Sequence, residues 1–241
     1  MKQLFPTWAN LIPTAAALGG FGALAAVAAG ITYWATPKFW EVGYQPQQPV
    51  AYNHQLHAGE LGIDCRYCHT DVERSEHSNV PSTATCMNCH TVADQFSGYL
   101  KQATALGEGS SAHWQNAELE KLRSFHAAGE APPWRRVHKL PDYVHFNHAA
   151  HIAGGVSCYS CHGRIDQMAV VHQAESLSMS WCLKCHRAPE HNLIDTSETP
   201  VTHLWDVEAL LGDKDYAAVV GENLKKRLKE TPPEHCGACH Y

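Results

Sequence analysis

The chain opens with an apolar stretch unlike anything that follows it. No charged side chain occurs between Lys2 and Lys38, and Leu11 to Trp34 is mostly Leu, Ala, Ile, Val and Gly. Such a run predicts one transmembrane helix over about residues 11–34, inside an N-terminal anchor of residues 1–40, because it is long enough to cross a hydrocarbon core of about 30 Å. The competing reading is a secretory signal cleaved near Ala26-Val27-Ala28. Trp8, Tyr33, Trp34 and Trp40 stand where interfacial aromatic anchors belong. Gly22, Ala26 and Gly30 share one face and Ala15, Gly19 and Ala23 another, which suits packing against other membrane helices. Beyond Lys38 the apolar positions come in short groups broken by Gly, Pro and polar residues. Helical periodicity returns twice. It predicts an amphipathic helix around Trp114–Phe125, with a Gly/Pro-containing exit at Gly129–Pro133. It also predicts a helix over Asp213–Lys229 with Tyr216, Val219, Val220, Leu224 and Leu228 on one face, stopped by Thr231-Pro232-Pro233.

Composition changes the picture. The 241 residues include 10 Cys and 18 His, far from an ordinary globular balance. Much of the 44% hydrophobic fraction lies in the first 35 positions, so the remainder is a poor candidate for a conventional apolar core. The formal charge of -6 comes from 18 basic and 24 acidic side chains without long runs of one sign. That argues against a nucleic-acid surface and supplies no polybasic lipid patch.

All ten cysteines fall in five copies of Cys-X-X-Cys-His: Cys65 to His69, Cys86 to His90, Cys158 to His162, Cys182 to His186 and Cys236 to His240. Two thiols three positions apart can bond to the two vinyl groups of one haem, and the following imidazole then sits below its iron. The motifs therefore predict five covalently bound haem c groups, held by Cys65, Cys68, Cys86, Cys89, Cys158, Cys161, Cys182, Cys185, Cys236 and Cys239. The proximal iron ligands are His69, His90, His162, His186 and His240. Zinc ribbons, disulfides and thioredoxin-like pairs also use Cys-X-X-Cys, but none requires a histidine after every pair. Haem is attached outside the cytoplasm, and Lys2 favours a cytoplasmic leading end. Both place the chain beyond Lys38 on the periplasmic side of an inner membrane that it crosses once. Haem propionates would add negative charge, and the haems would supply the apolar bulk that a core normally takes from side chains. The expected fold is mostly α and irregular, a multihaem cytochrome c domain with little regular structure plus the N-terminal helix.

Two segments repeat each other. Tyr52-Asn53-His54-Gln55-Leu56-His57 precedes Cys65, Phe146-Asn147-His148-Ala149-Ala150-His151 precedes Cys158, and each is followed by a second haem motif. The chain divides into a first di-haem module (45–97), a connecting insertion (98–135), a second di-haem module (136–196) and a C-terminal segment with the fifth haem site (197–241). Both repeats resemble the Phe-Asn-His-X-X-His of class III multihaem cytochromes. That resemblance implies that His54 closes the haem of His69, that His148 closes that of His162, and that His57 and His151 reach neighbouring haems. For the fifth distal position Met179, just before Cys182, is the first candidate, against an ordinary core methionine; a thioether there gives one haem of higher potential. His138 is the reserve, followed by His145 and His172. The default for His77, His113, His126, His191, His203 and His235 is a solvated or propionate-bonded imidazole. Arg135, Arg136 and Arg187 are either propionate partners or surface cations.

A haem with both axial positions filled binds no substrate at iron, so the expected role is one-electron transfer and not catalysis by this chain alone. Gln45-Pro46-Gln47-Gln48-Pro49, His54 to Gly59, Ile63 to His69, Cys86 to His90, Val137 to Asp142 and Trp181 to Arg187 resemble the pentahaem subunit of alternative complex III, a quinol:electron-acceptor oxidoreductase. The resemblance implies an iron-sulfur subunit, polytopic quinol-binding subunits and a monohaem cytochrome c as partners. The alternatives are a stand-alone multihaem quinol dehydrogenase and a periplasmic pentahaem reductase. The reductase family typically has lysine in its catalytic motif, whereas all five motifs here end in histidine.

Overall fold

The computed structural model describes residues 5–36, 41–91, 117–228 and 231–241. Lys2, Lys38, Trp40, His113, Trp114 and Lys229 lie outside them. Helix α1 (Ile12–Trp34) follows a 3-10 turn at Thr7–Leu11, with Pro13 in its first turn, where the missing N–H costs nothing. The span Thr7–Trp34 is long and apolar enough to cross a membrane, with mean hydropathy 1.8, and none of its residues is buried within the protein.

The rest is mostly helical and irregular. Among the described residues the only strand-like pairing is an isolated antiparallel bridge between Val156 and Leu193. The helices are α2 (Cys65–Cys68), α3 (Thr83–His90), α4 (Ala117–Ala128), α5 (His148–Ala153), α6 (Tyr159–His162), α7 (Met179–Arg187) and α8 (Leu204–Gly212). Then come α9 (Lys214–Tyr216) and α10 (Glu222–Arg227), joined through a π-helical turn at Ala217–Gly221.

Apolar packing is confined to two small clusters. In one, Leu119 and Leu122 of α4 close over Val50 and Met87, with Phe125 and Trp134 at the edge. The amphipathic helix of the insertion is thus the lid of the second haem motif, and Met87, the first X of that motif, is its plug. Arg123 reinforces the contact by donating to the His90 carbonyl at 3.1 Å. In the other cluster Ile194, Val201 and Val207 pack with Ile152, Tyr159 and Leu211. Ser157, 2% exposed, donates its hydroxyl to the Val201 carbonyl at 2.5 Å.

The helix expected over Asp213–Lys229 forms as far as Arg227, but the expected face is corrected by its π-helical turn. One extra residue per turn shifts the register, so Ala217, Gly221 and Leu224 are buried while Val219 is 62% exposed. Gly221 lies so close to the Glu190 carbonyl that a Cβ would collide with it.

The two modules interlock. The π-helical turn Gln55–Glu60 of the first rests on the 3-10 turn Ile165–Gln167, just past the third haem motif. Gln55 donates its N–H to the Met168 carbonyl at 3.1 Å, and Gly59 admits the Asp166 carbonyl where a side chain would clash. Reciprocally, α5 of the second module sits on the segment just past the first motif, with N–H bonds from His148 to Glu76 and from Ala149 to Ser75, at 3.3 and 3.2 Å.

Candidate haem-binding site

Each motif is a single helical turn. That geometry puts thiols i and i+3 on one face and brings the histidine N–H back to the first cysteine carbonyl, at 2.9 Å for His69, His162 and His240 alike. Local caps set the turns. Asp64 accepts from the Arg66 N–H and guanidinium and from the Thr202 hydroxyl, and Ser178 accepts from the Trp181 N–H. The Arg66 charge and these bonds hold the Asp64 carboxyl at about 2. None of the ten cysteines is joined in a disulfide.

The aromatic-Asn-His-X-X-His segments form the same device twice. The asparagine caps the turn, with Asn53 Oδ1 accepting from Leu56 N–H at 3.0 Å and Asn147 Oδ1 from Ala150 N–H at 3.2 Å. The ring before it folds against the second histidine, as in a hydrophobic staple. Tyr52 stacks on His57 at 4.5 Å and Phe146 on His151 at 4.4 Å, while both rings meet the first histidine edge-on.

A carbonyl can only accept, so an imidazole Nδ1 resting on one must carry the proton and leave the Nε2 lone pair for a metal. Six rings are fixed in this way. Nδ1 of His57, His69, His148, His151, His186 and His240 donates to the carbonyls of Asn53, Asn79, Glu76, Asn147, Pro233 and Tyr143, at 2.8, 2.6, 2.7, 2.7, 2.7 and 3.1 Å. Nδ1 of His54 is buried without a hydrogen-bond partner, and that of His162 meets Nε2 of His138 at 3.2 Å.

Two imidazoles bonded to one metal from opposite sides, at about 2 Å each, hold their ring centres roughly 6 Å apart. His57 and His90 stand 6.0 Å apart, His151 and His186 6.1 Å. Among the described residues no group of three or more His, Cys, Asp or Glu converges as a bare ion would require. Cysteines paired three positions apart, rings in the ligating tautomer and gaps of this width fit haem c.

Burial keeps the central rings neutral. It lowers His162 to about 3 and His54 and His138 to about 4, with neighbouring imidazole charges adding to the shift. Burial also pushes the Cys161 thiol up to about 12. The Cys65 and Cys158 thiols act on each other's ionisation, so the first and third motifs are neighbours across the interlock. The charge of Cys239 acts on Cys182, and His186 and Arg187 bond to Pro233 and Glu234, which brings the fourth motif to the fifth.

Met179 opens α7 and is 61% exposed, one turn before Cys182. His145 stacks on Tyr241 at 4.1 Å and donates its N–H to Cys239, beside the fifth motif. His172 acts on His138 through its charge. Arg187 pairs with Glu234 at 3.0 Å, and the Arg135 backbone is matched by the Gln48 amide. His77, His191 and His203 lie beside Glu76, Glu190 and Asp206, and His126 beside the Thr83 hydroxyl. Sequence reasoning missed Arg164, whose guanidinium grips the buried Asp166 carboxylate with two 2.8 Å bonds and Glu208 with a third at 2.6 Å. The Arg-X-Asp spacing two residues past the third motif was the available signal.

Motifs, fold and site chemistry define a multihaem c-type cytochrome, a protein of electron transport that binds haem c covalently. Residues 35–129 match the Class III cytochrome C family, a stretch that takes in the first module and α4. The chain is also 28% identical over 130 residues to the menaquinone reductase multihaem cytochrome c subunit of Nitratidesulfovibrio vulgaris (strain Hildenborough). That match takes in 54% of this chain and 51% of the other, so the chain spans about half the length of the curated relative it matches.

Proposed function

We propose that this chain is a membrane-anchored pentahaem c-type cytochrome that relays electrons within a respiratory quinol:electron-acceptor oxidoreductase of the alternative complex III type, and is not an enzyme by itself. The five Cys-X-X-Cys-His motifs carry the pentahaem reading, and imidazoles paired across gaps of 6.0 and 6.1 Å support a haem at two of them. When bound, the haems supply one-electron chemistry. The residues of the chain attach them, close both faces of each iron and exclude substrate from it.

In this reading His57 and His90 hold one haem and His151 and His186 another. His54 serves with His69, whose charge acts on it more than that of any other histidine. His148 serves with His162. Met179 serves the haem of His240, supported by the nearness of Cys182 and Cys239 and by His151 already facing His186. The apolar span Thr7–Trp34 anchors the chain in the inner membrane, with the haem domain on the periplasmic side. Its small-residue faces meet the polytopic subunits, and an iron-sulfur subunit and a monohaem cytochrome c complete the path. The similarity to a menaquinone reductase subunit favours a second reading, a complex that delivers electrons to menaquinone.

The test is to isolate the cytochrome from its native membrane in mild detergent, identify co-purifying subunits by mass spectrometry and assay electron flow in both directions. Co-purification with iron-sulfur and polytopic subunits, with quinol-driven haem reduction, is the expected outcome. Flow only towards the quinone selects the second reading. A protein that emerges alone and oxidises quinol is a self-sufficient dehydrogenase.

A further inference from the structure

We infer that His138 is a positioning residue, which accepts a hydrogen bond from the proximal histidine His162 and thereby sets the potential of the third haem. The inference rests on the reading that Cys158 and Cys161 carry a haem whose iron is bound by His162. With Nε2 on iron, the Nδ1–H of His162 is left as a donor, and the nitrogen that meets it is His138 Nε2 at 3.2 Å.

The two rings are nearly perpendicular, at 83°, with centres 4.3 Å apart. That is well short of the 6.0 and 6.1 Å of the pairs that flank a gap, so no iron fits between His138 and His162. The contact also differs in kind from those of three other proximal rings, since His69, His186 and His240 all donate to backbone carbonyls. An imidazole nitrogen is a stronger base than an amide oxygen. It draws the Nδ1 proton further, makes the ligating nitrogen more electron-rich and favours ferric iron. The third haem is therefore held at a lower potential than a carbonyl acceptor would give it.

The experiment compares wild type, His138→Phe and His138→Gln in the full-length haem-loaded protein, by redox titration with EPR and optical detection. Haem content at each motif is read by peptide mass spectrometry. In His138→Phe every haem is expected to remain low-spin and six-coordinate while one midpoint rises. His138→Gln, which restores an acceptor, brings that midpoint part of the way back. A new high-spin haem that binds carbon monoxide would make His138 an axial ligand and overturn the inference. Unchanged midpoints in His138→Phe overturn it as well. Absence of haem from the Cys158–Cys161 peptide in wild type defeats the pentahaem reading itself. Should His138→Phe fail to accumulate, the wild type decides. In dithionite-reduced, diamagnetic protein labelled with 15N-histidine, a scalar coupling between two imidazole nitrogens across one hydrogen bond is expected, and its absence counts against the contact.

Discussion

The two aromatic-Asn-His-X-X-His segments begin from the same instruction and are built into different helices. In the second module Asn147 caps the α-helix His148–Ala153, and in the first the same device leads into the π-helical turn Gln55–Glu60. The ring stacks nevertheless agree within 0.1 Å, at 4.5 and 4.4 Å, and so do the gaps to the next proximal histidine, at 6.0 and 6.1 Å. The second histidine is placed by the cap and the stacked ring, which act within one turn, and what the backbone does afterwards is free to vary. The first histidine of each pair is less alike. His148 is anchored on the Glu76 carbonyl of the other module, whereas Nδ1 of His54 is buried without a partner.

If the second histidines are equivalent, His57→Gly and His151→Gly should each convert one haem of the purified protein into a high-spin form that binds carbon monoxide, read by EPR and difference spectra. A response in only one module breaks the equivalence. Removing the stacked ring comes next. Tyr52→Ala and Phe146→Ala should each destabilise the haem-loaded protein by about 2 kcal/mol in denaturant titrations, through lost packing and loss of the stack. The caps should matter less and equally, with Asn53→Ala and Asn147→Ala costing about 1 kcal/mol each in the same titration. Smallest of all, Tyr52→Phe turns the first stack into the second and should change stability by less than about 0.5 kcal/mol. A larger loss would assign the hydroxyl a role of its own.

Thiol and haem chemistry was legible in the sequence because attachment depends on a motif of five consecutive residues, and both halves of the repeat carry their own cap and staple. The set of groups that the histidine Nδ1 atoms bond to was not. Its acceptors are mostly the carbonyls of Glu76, Asn79, Tyr143 and Pro233, which any residue supplies and no side chain advertises. Helix α8 was missed although Leu204, Val207 and Leu211 are spaced for it, since nine residues between two loops carry little periodic signal. The buried face of α9 and α10 depended on a π-helical turn seated against Glu190, a contact between segments that periodicity within one of them does not contain.

The interlock of the modules also sets an order in time. His148 lies 72 residues beyond Glu76, its partner, and the turn at Gln55 waits for Met168. A chain emerging from its N-terminus shows its first two thiol pairs long before the segments that cover them exist, and closing so long a loop is slow. During that interval Cys65, Cys68, Cys86 and Cys89 stay open to haem and to the enzyme that attaches it. A chain arrested before residue 148 would remain open indefinitely, a target for proteases.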